Sequence, residues 1–141
     1  MNSLAGSCHC KAVQVSALLK TPPEQLPLRK CDCSFCVRHG AAYFSDAGGS
    51  FEISSSGDSL HHYRQYAGGI AEFLVCRSCG VLVGVIHTDK DGKLYGALNG
   101  LVFLNHKFAA AVPISPENFT ADQKRERWKQ IWFSDVSIRH T

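Results

Sequence analysis

Apolar and β-branched residues fall in short runs: Ala12 to Leu19, Ala41 to Ser45, Leu60 to Tyr66, Glu72 to Cys76, Val81 to His87 and Lys93 to Leu104. Turn-forming residues break the chain around and between them, at Pro22-Pro23, Gly48-Gly49, Gly57-Asp58, Gly68-Gly69 and Asp91-Gly92. This punctuation predicts strands, and Asp91-Gly92 has the composition of a hairpin turn. The pattern changes only near the end. Ala121 to Trp132 is rich in helix formers, with apolar Trp128, Ile131 and Trp132, and Ser115-Pro116-Glu117 suits a helix start. The expectation is a mainly β chain with a short C-terminal helix.

Length and composition narrow this further. At 141 residues, 45% of them hydrophobic, the chain can build one ordinary core, so residues 1–141 read as a single domain. Met1 to Cys10 lacks the basic start and the apolar stretch of about 7 to 15 residues that an export signal needs. No uncharged apolar run approaches the roughly 18 residues of a membrane span. A cytoplasmic, membrane-free protein is therefore expected. Seven cysteines in such a chain point away from disulfides, because cytosolic thiols are kept reduced.

The cysteines fall into three groups: Cys8/Cys10, Cys31/Cys33/Cys36 and Cys76/Cys79. In Cys76-Arg77-Ser78-Cys79-Gly80, two thiolates three positions apart can meet one tetrahedral ion from a tight knuckle, with Gly80 easing the turn. A redox pair is the alternative, and a thioredoxin-like motif has no use for five more cysteines at ligand spacing. Cys8-His9-Cys10, taken as extended, directs both sulfurs to one face. Together these four thiolates give the closed set of a structural zinc; the plainer alternative is buried free thiols. Cys31-Asp32-Cys33-Ser34-Phe35-Cys36 brings three thiolates from six residues and leaves a tetrahedral position for water or substrate. That vacancy makes Cys31, Cys33 and Cys36 the candidate catalytic residues. His39, His9 or Asp32 could instead close the site.

Two further motifs carry less. Adjacent His61 and His62 on a strand face opposite sides, and the basic run Lys124 to Lys129 is interrupted by Glu126 and would spread around a helix. The formal net charge is +3, and seven thiolates with two Zn²⁺ would cancel it. A nearly neutral holo-protein is not expected to bind nucleic acid.

Taken together, Gly6-Ser7-Cys8-His9-Cys10, Cys31 to Arg38 and Cys76 to Gly80 resemble the glutathione-dependent formaldehyde-activating enzyme family, within the superfamily that includes centromere protein V. The likeness runs from about Gly6 to Asn99. It implies several coiled antiparallel sheets around rubredoxin-like zinc knuckles, a zinc-ribbon-like β-tent. It also implies a structural zinc on Cys8, Cys10, Cys76 and Cys79 and a catalytic zinc on Cys31, Cys33 and Cys36, near which glutathione or a related small thiol binds. The implied activity is that of a carbon–sulfur lyase interconverting formaldehyde and glutathione with S-hydroxymethylglutathione. The rival expectations are a non-catalytic zinc-binding interaction module and a thiol or zinc-exchange protein. Lys11 stands where the family usually has glycine, Asp32 where histidine is common, and Val37 separates Cys36 from an arginine that more often follows directly.

Overall fold

A computed structural model describes residues 1–65 and 69–141. The elements are β1 (Asn2–Ser7), β2 (Val13–Leu19), β3 (Pro27–Cys31), α1 (Ser34–His39), β4 (Ala42–Phe44), β5 (Ser50–Ser55), β6 (Leu60–Tyr63), β7 (Glu72–Cys76), β8 (Leu82–Thr88), β9 (Leu94–Asn99), β10 (Ala109–Ile114), α2 (Ala121–Ile131) and β11 (Asp135–His140). The chain is mainly β with a short helix near its end, as expected. The strands form two sheets, one in the order β1-β2-β5-β11 and a larger one in the order β10-β3-β4-β9-β8-β7-β6. Pairing is antiparallel except where β10 joins β3 and β11 joins β5.

The alternation of side chains explains how the sheets stack. In β2, Val13, Val15, Ala17 and Leu19 are buried while Gln14, Ser16 and Leu18 are exposed, so this strand covers a core on one face only. The larger sheet is buried on both. Phe44, Leu74, Val83, Ile86 and Leu98 meet the smaller sheet in a core shared with Phe51, Phe103 and Phe133. Their strand neighbours Tyr43, Phe73, Leu82, Val85 and Ala97 enter a second core with Trp128, Trp132 and the cysteine triplet. The triplet thus sits on the outer face of the large sheet, beneath α2.

Several elements escape the sequence pattern. β1, β10 and β11 are edge strands with mixed or polar patterning, which gives little periodicity to read. α1 spans six residues, too few for a helical period, and is fixed by local chemistry: Cys33 Sγ caps its start and Gly40 ends it at φ 60°. The helix start at Ser115-Pro116-Glu117 is corrected: Pro116–Asn118 is a single 3-10 turn, and α2 begins after Thr120. Thr120 and Gln123 there form a reciprocal capping box that Ser115 does not supply. Tyr66 and Gly68, the ends of a predicted strand and a predicted turn, lie outside the described residues. Among the described residues no helix is long and apolar enough to cross a membrane.

Candidate metal centres

The Cys8-His9-Cys10 segment is a turn rather than an extended stretch. β1 ends at Ser7, the Cys8 N–H donates to Val13 O at 3.0 Å, and Lys11 closes the turn at φ 68°. The β1–β2 hairpin therefore ends in a knuckle. A second knuckle follows β7, where the Cys76 N–H donates to Val81 O, the Gly80 N–H donates to Cys76 O, both at 2.9 Å, and Gly80 takes φ 80°. The two knuckles face each other, and the sulfurs of Cys8, Cys10, Cys76 and Cys79 lie within 4.8 Å of one another.

Cys8 Sγ to Cys10 Sγ is 3.7 Å and Cys10 Sγ to Cys76 Sγ is 3.6 Å. A disulfide would need about 2.05 Å. Four sulfurs each about 2.3 Å from a central zinc are separated by about 3.8 Å, so this spacing fits a tetrahedral thiolate cage. The Val13 N–H donates to Cys8 Sγ at 3.3 Å and the Cys79 N–H to Cys76 Sγ at 3.5 Å. Burial pushes the Cys8 thiol up to about 12. Burial also opposes ionisation of Cys79, but the backbone N–H groups of Cys10 and Val81 outweigh it and bring that thiol down to about 6.

The second cluster is assembled from one segment. Cys31 ends β3, Cys33 is the N-cap of α1 and Cys36 lies in the helix, and their sulfurs also fall within 4.8 Å of one another. All three are buried. Hydrogen bonds from Cys31 and Cys36 hold Cys33 down to about 2, hydrogen bonding with Cys33 pushes Cys31 up to about 11, and hydrogen bonding with Cys31 and Cys33, followed by burial, pushes Cys36 higher still. Within the triplet Cys33 is therefore the thiol favoured to ionise. Gln65 Nε2 lies 3.5 Å from that sulfur, and the buried Tyr43 hydroxyl is 3.1 Å from Cys36 Sγ. Burial, reinforced by Cys36, keeps the Tyr43 hydroxyl protonated and able to donate.

None of the residues that could have closed the triplet joins it among the described residues. The Asp32 carboxylate accepts from the Ser115 hydroxyl at 2.5 Å, and the His39 ring lies 4.6 Å from that of Phe35. His9 lines a separate surface cleft beside Cys8 and Lys11. Arg38 donates to Ser34 O on its own helix at 2.7 Å. His62 pairs with Glu72 at 3.1 Å, as an ordinary strand residue would.

A cavity of about 410 Å³ opens over the three thiols. Its walls include Tyr43, Gln65, Phe73, Val85, Ile114 and Trp128, with Lys124 and Glu117 among the polar lining. Trp128 stacks on Trp132 at 4.2 Å and 11°, which fixes its ring against the cavity. Sequence reading missed Tyr43, Gln65, Lys124 and Trp128 as parts of the site. Tyr43 lies in an apolar run that reads as core, and only the spacing of Lys124 and Trp128 on one helical stripe offered a hint. Near the same helix, burial and the Arg127 guanidinium pull Arg29 down to about 10.

The model of the glutathione-dependent formaldehyde-activating enzyme family matches residues 3–121, which include all seven cysteines. The chain belongs to this family. In this formaldehyde-activating enzyme family member the match ends at Ala121, the first residue of α2. The crystal structure of a Rhodobacter sphaeroides protein shares its fold, with 22% identity and a TM-score of 0.52 over 96% of this chain and 99% of that one. No curated protein matches the chain.

Proposed function

We propose that this protein is a zinc-dependent carbon–sulfur lyase that forms or cleaves a hydroxymethyl adduct of glutathione or a related small thiol, working as one domain in a reducing compartment such as the cytoplasm. The observation that carries this reading is the unequal pair of cysteine clusters. Four sulfurs enclose one position, whereas three buried sulfurs lie at a 410 Å³ cavity with no fourth side-chain ligand among the described residues. Cys8, Cys10, Cys76 and Cys79 would hold a structural zinc, and Cys31, Cys33 and Cys36 a catalytic one. Family membership supports glutathione and formaldehyde as the reactants.

In the forward direction a thiol sulfur bonds to the formaldehyde carbon, the carbonyl π bond breaks, and the thiol proton passes to the resulting oxygen. Zinc bound by the triplet would supply an electrophilic centre in reach of sulfur or oxygen without redox change. The protein's own groups do the rest. Gln65 and Tyr43 hydrogen bond to the sulfurs of Cys33 and Cys36 and so fix the orientation of the ligands. Phe73, Val85, Ile114 and Trp128 give the chamber dry walls that strengthen electrostatic interactions inside it.

Metal analysis of protein purified without added zinc, followed by glutathione titration of the wild type and Cys33→Ala, tests this. The expected result is two zinc ions per chain and a glutathione response that disappears with Cys33. One ion per chain, or glutathione binding indifferent to the substitution, would overturn the two-site reading.

A further inference from the structure

Lys124, Arg127 and Trp128 sit three and four positions apart on α2, so one stripe of the helix carries two cations and an indole ring. Arg29 lies opposite them on β3. Because strand side chains alternate, Arg29 shares a sheet face with Cys31, about 6.6 Å further along the strand. Arg29, Lys124, Arg127, Trp128 and Trp132 help to enclose a gap of about 30 Å³. That volume suits a group the size of a water molecule or a carboxylate head. The gap adjoins the chamber over the triplet, since Lys124, Trp128, Ile114 and Pro116 line both.

No acidic residue lines this gap. Arg29 donates to a neutral acceptor, Ser45 Oγ, at 2.7 Å, and Arg127 lies over the Phe119 ring at 5.6 Å. Among the described residues every ion pair involves other cations, and Glu117 lines the chamber without pairing to Lys124. Three cations gathered around an enclosed space repel one another, and partial burial deprives them of water that would screen the repulsion. A bound anion relieves both penalties, and a guanidinium presents paired donors that match a carboxylate.

We propose that the gap is a carboxylate subsite, which receives the acidic end of a thiol whose sulfur lies against Cys31, Cys33 and Cys36. The substrate class is then carboxylate-bearing thiols, discriminated from neutral ones. The sulfur end rests on the function proposed above, while the anion end rests on the cation cluster alone. The cluster also supplies positive charge beside a triplet that, with zinc, is formally negative by one.

Trp128 and Trp132 border the gap and report on its occupancy, so tryptophan fluorescence of the zinc-loaded chain tests the subsite directly. Sodium acetate is titrated against sodium chloride at matched ionic strength, in wild type, Arg29→Gln and the surface-helix variant Arg127→Gln. The expected result is a saturable response to acetate alone, weakened at least about tenfold by Arg29→Gln and severalfold by Arg127→Gln. No saturable response, an equal response to chloride, or affinity unchanged in a folded Arg127→Gln overturns the subsite. In a second arm, 3-mercaptopropionate should bind at least about tenfold tighter than 2-mercaptoethanol, and Arg29→Gln should abolish that preference. Acetate binding without such a preference overturns the substrate assignment. If acetate binds and neither thiol does, the reading of the triplet as a thiol site fails as well.

Discussion

Lys11 shows what a single residue contributes to a metal knuckle. Its φ of 68° is the sole positive value outside glycine among the described residues, and it lies just after Cys10 in the turn that presents Cys8 and Cys10. An L-residue there costs about 1–2 kcal/mol against the right-handed region, and glycine would return part of that gain as unfolded-state entropy. Lys11→Gly should therefore raise stability by about 0.5–1 kcal/mol, read as a shift of the denaturant midpoint with an unchanged slope. A drop in stability would mean that the lysine side chain stabilises the knuckle by a contact of its own. Protonation at the triplet makes a second residue-scale statement. Cys31 and Cys36 are held up and keep their protons at neutral pH, whereas Cys33 at about 2 has already lost its own. Binding zinc as three thiolates must then expel about two protons, so affinity rises about 100-fold per pH unit between the depressed and the raised values. Proton release on adding the second zinc equivalent in weakly buffered solution at pH 7 checks this, and a release of three would show that Cys33 was not ionised beforehand.

Among the elements, α2 matters most, because its inward stripe forms one wall of the chamber while its other faces meet water. Its start depends on Thr120, whose hydroxyl accepts from the Gln123 N–H at 3.1 Å while the Gln123 side chain accepts from the Thr120 N–H at 2.9 Å. Thr120→Ala should cost about 1 kcal/mol and fray the first turn, measured as faster amide exchange at Gln123 and Lys124. If Lys124 and Trp128 form the wall as described, weaker thiol binding should accompany the fraying while zinc content stays constant. The helix was legible in composition, but its start was misplaced because Ser115-Pro116 and Thr120 both carry cap signals and only the folded chain shows which makes the reciprocal bonds. Strands β2, β7, β8 and β9 were legible where alternation or a long apolar run announced them. β5 was not, although Phe51 and Ile53 alternate with polar neighbours, because the run is short and serine-rich. The cysteine sets were legible from spacing alone, since ligand chemistry demands paired thiolates. Tyr43, Gln65 and Arg29 were not, because each joins the site through strand pairing or a distant loop that local sequence does not encode.

For the whole molecule, the four-cysteine cluster brings together one turn from each of the two sheets. Cys8 and Cys10 come from the β1–β2 turn of the smaller sheet, and Cys76 and Cys79 from the β7–β8 turn of the larger. An ion held by all four bridges positions 66 residues apart, and closing a loop of that length in the unfolded chain is worth about 4 kcal/mol by the same entropy argument that applies to disulfides. The triplet spans only six residues, so an ion held there would close almost no loop. Its thiols also lie in a core already formed by Tyr43, Phe73, Val85 and the two tryptophans. Cys79→Ala should therefore lower the melting temperature substantially more than Cys36→Ala, and a chelator strong enough to strip both sites should destabilise the wild type more than it destabilises Cys79→Ala. Cys36→Ala should in turn lose the thiol response while its melting curve stays near that of the wild type. The opposite ranking in calorimetry on zinc-loaded samples would reverse the roles assigned to the two clusters, because the stability of the assembly would then depend on the ion beneath the cavity rather than on the one between the sheets.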